Sequence, residues 1–127
     1  MTFLRTGILV SLLFLPLHAQ GKDPSISDPS AAIVPGGVAI YGTLNNPTMY
    51  DAYVQSGKSD AGKVVLRDRE KTTGNITIPA FGDVELKAGG VFVLITDLKG
   101  QPKAGDTIQL SLTTDGGVAI AIAAVVK

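Results

Sequence analysis

Residues 91–113 read VFVLITDLKGQPKAGDTIQLSLT. The second half alternates, with Ile108, Leu110 and Leu112 on one side and Thr107, Gln109, Ser111 and Thr113 on the other. A period of two is that of a half-exposed β-strand. The first half, VFVLIT, is apolar at every position except its last, so this strand is covered on both faces. A charged turn containing Gly100 and Pro102 separates the two. Working outward, runs of the same kind are VAIYGTL (38–44), KVVLRD (63–68), NITI (75–78), DVELK (83–87) and VAIAIAAVV (118–126). No stretch between them carries an amphipathic helical period. Short strands at regular intervals with turn residues between them predict an all-β sandwich or barrel.

In the last run Val118, Ile120, Ile122, Ala124 and Val126 alternate with Ala119, Ala121, Ala123 and Val125. The smaller face is expected to sit close against another layer. Glycine pairs precede apolar runs at Gly36-Gly37, Gly89-Gly90 and Gly116-Gly117; their unequal spacing marks hairpin turns rather than an architectural repeat. Between Lys22 and Pro35 the chain reads KDPSISDPSAAIVP, with three prolines and no period. It is expected to be a linker, or an extended arm pairing with a sheet edge.

The N-terminus has the order of a secretory leader. Arg5 stands in a short positive region, Ile8 to Leu17 form an apolar run too short to span a bilayer, and the small residues Ala19 and Gly21 follow. Residues 1–21 are therefore expected to be cleaved, 22–35 to form the arm and 36–127 the β domain, in the periplasm or secreted. No cysteine stands near the cleavage point to carry a lipid anchor. The single histidine, His18, leaves with the leader, as does Arg5, so ten basic residues face 11 acidic ones. Such a balance gives no reason to expect nucleic acid or an anionic membrane as partner. Without cysteine there is no disulfide framework, and packing alone must hold the domain.

The same inventory excludes chemistry. Nucleophilic catalysis of the Ser-His or Cys-His type lacks its base. The usual zinc or copper site lacks imidazole and thiolate. Asp68 with Glu70, and Asp83 with Glu85, place carboxylates two residues apart on one strand face, a spacing that suits a hard cation or paired acid–base work. Arg67, Arg69, Lys71 and Lys87 are interleaved with them, which is the ordinary pattern of a solvated edge. No enzyme is expected.

Three blocks, AGKVVLRD (61–68), IPAFGDVELKAGG (78–90) and VFVLITDLKGQPKAGDTIQLSLT (91–113), together resemble the PCu(A)C family of exported copper chaperones. Its patterns read AGKVE-I/L-HE, IPAGG-x-VELKPGG and YHLMLM-x-LK-x-PLK-x-GD. The resemblance implies a cupredoxin-like Greek-key β-barrel. It also implies where copper ligands would lie: the first histidine falls on Arg67, and the second histidine and its following methionine fall on Phe92 and Leu94. The remaining methionine falls on Ile78 when counted forward from Arg67, and has no counterpart when counted back from IPAFG. None of these residues is a copper donor, since guanidinium and hydrocarbon offer the metal no soft lone pair. Phe92 and Leu94, two apart on one strand, are expected to give an apolar surface at the barrel's mouth where a site would have been. Met49 and Tyr50 in NNPTMYDAY are candidates for the same surface.

The expected function is thus a copper-chaperone-family domain with a degenerate metal site and no cofactor, serving as an accessory binding or scaffold module. The alternative is an assembly partner in copper delivery to an oxidase, with copper held by another protein or by a non-standard site. A protein partner, such as a copper-assembly factor, fits either. The exported protein should begin between Gln20 and Asp23. Intact-mass measurement checks this, and retention of residues 1–19 would contradict the leader.

Overall fold

Apolar residues at alternate positions leave one face of each strand to be buried, and this chain buries them by curling one sheet around them. The computed structural model describes residues 23–127; the expected leader, 1–21, lies outside the described residues. The elements are β1 (Ser25–Val34), β2 (Gly37–Asn46), β3 (Ala52–Ser59), β4 (Lys63–Asp68), β5 (Lys71–Thr72), β6 (Ile76–Ile78), β7 (Gly82–Leu86), β8 (Val91–Thr96), β9 (Thr107–Thr114) and β10 (Ala119–Val126). No helix occurs among the described residues. The sheet order is β5-β4-β8-β2-β1-β10-β9-β3-β6, with β7 also on β2. β1 lies parallel to β10, and the other pairings are antiparallel. The chain is all-β with the cupredoxin-like architecture expected.

The inner faces meet in one core. Val38, Ile40 and Leu44 of β2, Val93 and Ile95 of β8, Leu112 of β9 and Ile120 and Ile122 of β10 are buried in it. Burying each such side chain contributes roughly 1.5–3 kcal/mol. β9 keeps the predicted alternation, with Ile108, Leu110 and Leu112 inside.

Two expectations are corrected. The stretch expected to be a linker or edge-pairing arm is β1, which has β2 on one side and β10 on the other. Its prolines sit where a missing N–H costs little. Pro24 precedes the strand. Pro29 lies in a bulge, where the β1–β2 register shifts between Ser27 and Ser30 and Asp28 takes a φ of 51°. Pro35 opens the two-residue turn into β2, followed by Gly36 at φ 92°, the residue order of a type II turn. The second correction concerns β10. Its small face, Ala119, Ala121, Ala123 and Val125, is exposed to solvent, while Ile120, Ile122, Ala124 and Val126 are buried. The larger side chains remove more apolar area from water, so they take the core side.

β2 positions the rest. It pairs with β1 along one side; on the other it pairs first with β8 (Val38↔Ile95 to Ile40↔Val93) and then with β7 (Gly42↔Leu86 to Asn46↔Gly82). At its start Gly37 is obligatory, because a Cβ there would overlap the Ile95 carbonyl. Paired with β2 throughout and with β10 at Ser30 and Ala31, the strand's Ser30–Val34 amides should exchange with solvent far more slowly than those of an undocked arm. Hydrogen exchange read by mass spectrometry or NMR checks this, and rapid exchange there would mean such an arm rather than a strand of the sheet.

Candidate functional site

Because β8 alternates, Val93 and Ile95 point into the core and Phe92 and Leu94 point to the opposite face, from which Phe92, partly buried, still packs against the edge of the core. The neighbouring strands supply the rest of that face. Across β8, Arg67 of β4 stands opposite Phe92, and Val65 opposite Leu94; on the other side Ala39 of β2 stands opposite Leu94. Arg67, Phe92 and Leu94 therefore line one groove of about 520 Å³, together with Ala39 and Tyr41. Ala39 and Leu94 form its buried floor. The Tyr41 and Phe92 rings meet edge to face, with centroids 6.3 Å apart and planes inclined by 60°. Such a pair adds about 0.5–1.5 kcal/mol beyond its area and stiffens the wall. The groove lies on the outer face of the sheet, not at the mouth of the barrel. The turns leading into β2 and β8 form its lips, through Val34, Pro35, Ala88 and Gly89.

The β4–β5 hairpin supplies the charged rim, Arg67, Arg69 and Glu70. Arg67 Nη2 donates to the Glu70 carbonyl oxygen at 2.6 Å. Its Nε is buried and has no hydrogen-bond partner. Arg69 occupies the first place of a two-residue hairpin loop with a φ of 60°, held by its N–H donating to the Gly90 carbonyl at 2.8 Å. Glycine, asparagine or aspartate is the usual resident of such a place.

The other expected residues are elsewhere. Ile78 is fully buried in β6, opposite Ala52, and contributes to the core. Met49 and Tyr50 follow the far end of β2, five residues or about 17 Å along the strand from Tyr41, so the single apolar surface expected of Phe92, Leu94, Met49 and Tyr50 is two surfaces. Their neighbour is Phe81, whose N–H donates to the Thr48 carbonyl at 3.0 Å. Met49, Tyr50 and Phe81 are 65%, 73% and 73% exposed. Sequence reasoning passed over Phe81 and Tyr41 as site residues and took Arg69 as part of a solvated edge; for Tyr41 the signal was its place two residues beyond Ala39. Asp68, Glu70, Asp83 and Glu85 are exposed, as a solvated edge requires.

Buried Asn46 holds the loop that carries Met49 and Tyr50. Its Nδ2 donates to the carbonyls of Tyr50 at 2.8 Å and Ile78 at 2.9 Å. Its Oδ1 accepts from Thr48 N at 3.0 Å and Thr48 Oγ1 at 2.7 Å. As donor set for a metal, the groove offers one carboxylate, Glu70, and one phenol, Tyr41. Among the described residues no group of three or more His, Cys, Asp or Glu side chains is placed to hold a metal ion.

The model of the LpqE-like lipoprotein family matches residues 24–126. No curated protein matches the chain significantly in sequence. Solved structures share the fold. A copper-bound PCuAC domain from PmoF2 aligns with a TM-score of 0.70 at 19% identity, covering 80% of this chain and 90% of that one. The apo PCuAC domain from PmoF1 gives 0.71 at 17%, covering 80% and 91%. The solution structure of Cu(I)-DR1885 from Deinococcus radiodurans gives 0.67 at 24%, covering 84% and 77%.

Truncating Asn46 would strip the Ile78 carbonyl of this donor and the Thr48 N–H of its acceptor, while the Tyr50 carbonyl keeps Thr48 Oγ1 at 2.9 Å. Asn46→Ala should cost about 2–4 kcal/mol, since each buried group left unpaired costs about 1–3. Urea unfolding reads the loss; a change below about 1 kcal/mol would show that these bonds do not hold the loop.

Proposed function

We propose that this chain, which belongs to the LpqE-like lipoprotein family, is an exported PCuAC-fold domain that carries no copper at the position the sequence resemblance assigns to it. In this reading it serves the cell envelope as an accessory binding or scaffold module. One observation supports this above the others: Arg67, Phe92 and Leu94, onto which the sequence resemblance places three copper ligands, line a single groove. On this reading the position is kept as a place, and its chemistry differs. A cation at Arg67 repels a metal ion, and Phe92 and Leu94 give it nothing to bind. Glu70 and Tyr41 are hard oxygen donors, poorly matched to Cu(I).

The reading has no catalytic step. The exposed carboxylates at positions 68, 70, 83 and 85 stand among basic side chains, and the described residues include no histidine or cysteine. A protein partner has a surface to use in the exposed Met49 and Tyr50, held on the loop that Asn46 braces. A second reading makes the chain an assembly partner in copper delivery, with the metal held by another protein or by a non-standard site. Two of the fold relatives are copper-bound structures, which favours keeping it. No helix among the described residues is long and apolar enough to cross a membrane.

Copper competition separates these readings. The exported protein should fail to take Cu(I) from a chelating indicator at the affinity of a chaperone. Arg67→His, Phe92→His and Leu94→Met together should raise Cu(I) affinity at least tenfold, while costing about 2–4 kcal/mol of stability in sum. Tight stoichiometric binding by the unmodified protein would overturn the proposal and favour a non-standard site.

A further inference from the structure

We infer that the groove beside Phe92 and Leu94 is a binding site for a small amphipathic carboxylate, its apolar part on the groove floor and its carboxylate on Arg67. The inference rests on the reading that this position no longer holds copper, and it names what the position takes instead.

The volume comes first. At about 520 Å³ the groove falls within the roughly 300–1,000 Å³ of small-molecule sites. Its floor and wall are hydrocarbon and aromatic: Ala39, Leu94, Phe92 and Tyr41. These residues are carried by paired strands, and the Tyr41–Phe92 contact fixes the wall, so little ordering is left to be done on binding.

The charge comes second. Arg67, partly buried, stands beside its cross-strand partner Phe92, so its stem can lie along the apolar wall with its head group at the edge. Among the described residues Arg67 has one anchor, the Glu70 carbonyl, and that bond orients the guanidinium at the groove's edge. Nε is buried without a partner and out of a ligand's reach, so a carboxylate in the groove would meet the Nη groups. A planar fork of N–H groups matches a carboxylate in shape and charge, and the resulting bond is roughly twice as strong as a neutral one. Arg69 adds a second positive charge on the same rim, from a backbone conformation that costs a non-glycine residue energy. Glu70 is the single acidic side chain there, which leaves the rim positive and turns a cationic ligand away.

Octanoate is a suitable probe, with 1-octanol, octylamine and acetate as controls, each titrated into the full exported protein by calorimetry and followed by amide NMR. Octanoate should bind one to one and shift the amides of Ala39, Arg67, Phe92 and Leu94. Octanol, octylamine and acetate should each bind at least tenfold more weakly, since each lacks one half of the pairing. Arg67→Gln should weaken octanoate at least tenfold, and Arg67→Lys should recover part of the loss. The octanoate–octanol comparison needs no variant and stands even if a substitution disturbs folding. Equal binding of octanol and octanoate, no octanoate binding, or shifts confined to other residues would overturn the inference. If octanoate fails while Cu(I) also fails to bind, this inference alone falls; if Cu(I) saturates these same residues, the reading beneath it falls as well.

Discussion

Side-chain alternation along β8 is the constraint on which both fold and groove depend. The strand lies between β4 and β2, so both of its edges are hydrogen-bonded and it cannot shift register without breaking two ladders. Val93 and Ile95 must then face the core, and Phe92 and Leu94 must face the other way. An ordinary half-exposed strand would carry polar residues at 92 and 94. Here they are apolar, and the outer face has to be sheltered. The β1–β2 and β7–β8 turns and the β4–β5 hairpin do this, and the shelter they make is the groove.

The two sides of the sheet are thereby coupled. A substitution at 92 or 94 acts on the groove directly, while one at 93 or 95 reaches it through the core. The same holds across the strand, where Arg67 and Phe92 share a register position and Leu66 beside Arg67 is buried in the core. A metal site could occupy these outer positions without altering the inner ones. So could an apolar floor with a cationic edge. On our reading this separation lets one scaffold exchange the chemistry of its outer face while the core stays as it is.

Much of the fold was legible because most strands announce themselves by burial. KVVLRD and VFVLIT coincide with β4 and β8 to the residue. β3 was not legible. Only Ala52 and Val54 of its residues are buried apolar side chains, a register shift follows at Val54–Ser56, and Gly57 and Lys58 end the apolar pattern. Gly57 is there for packing: a Cβ would lie 2.6 Å from Val64 Cγ1. β1 was hidden by its prolines, whose tolerance depends on a bulge and turns that only the paired strand reveals. In β10 the two faces were separated correctly but assigned to the wrong sides, because neither alternates with polar residues and size alone had to decide.

For the site, the motif placed Arg67, Phe92 and Leu94 in sequence, and cross-strand register brings them together in space. Tyr41 and Arg69 enter through pairing and turn geometry, which no local pattern encodes. Met49 and Tyr50 belong to a second surface because β2 carries them away along its length. The most direct test of the central claim is to titrate Cu(I) into isotopically labelled protein of residues 22–127 and follow the amides of Arg67, Phe92 and Leu94. The account predicts that these three stay unmoved, with any change confined to the neighbourhood of Met49, the one soft donor in residues 22–127. Saturable shifts at all three, complete at one equivalent of copper, would contradict it.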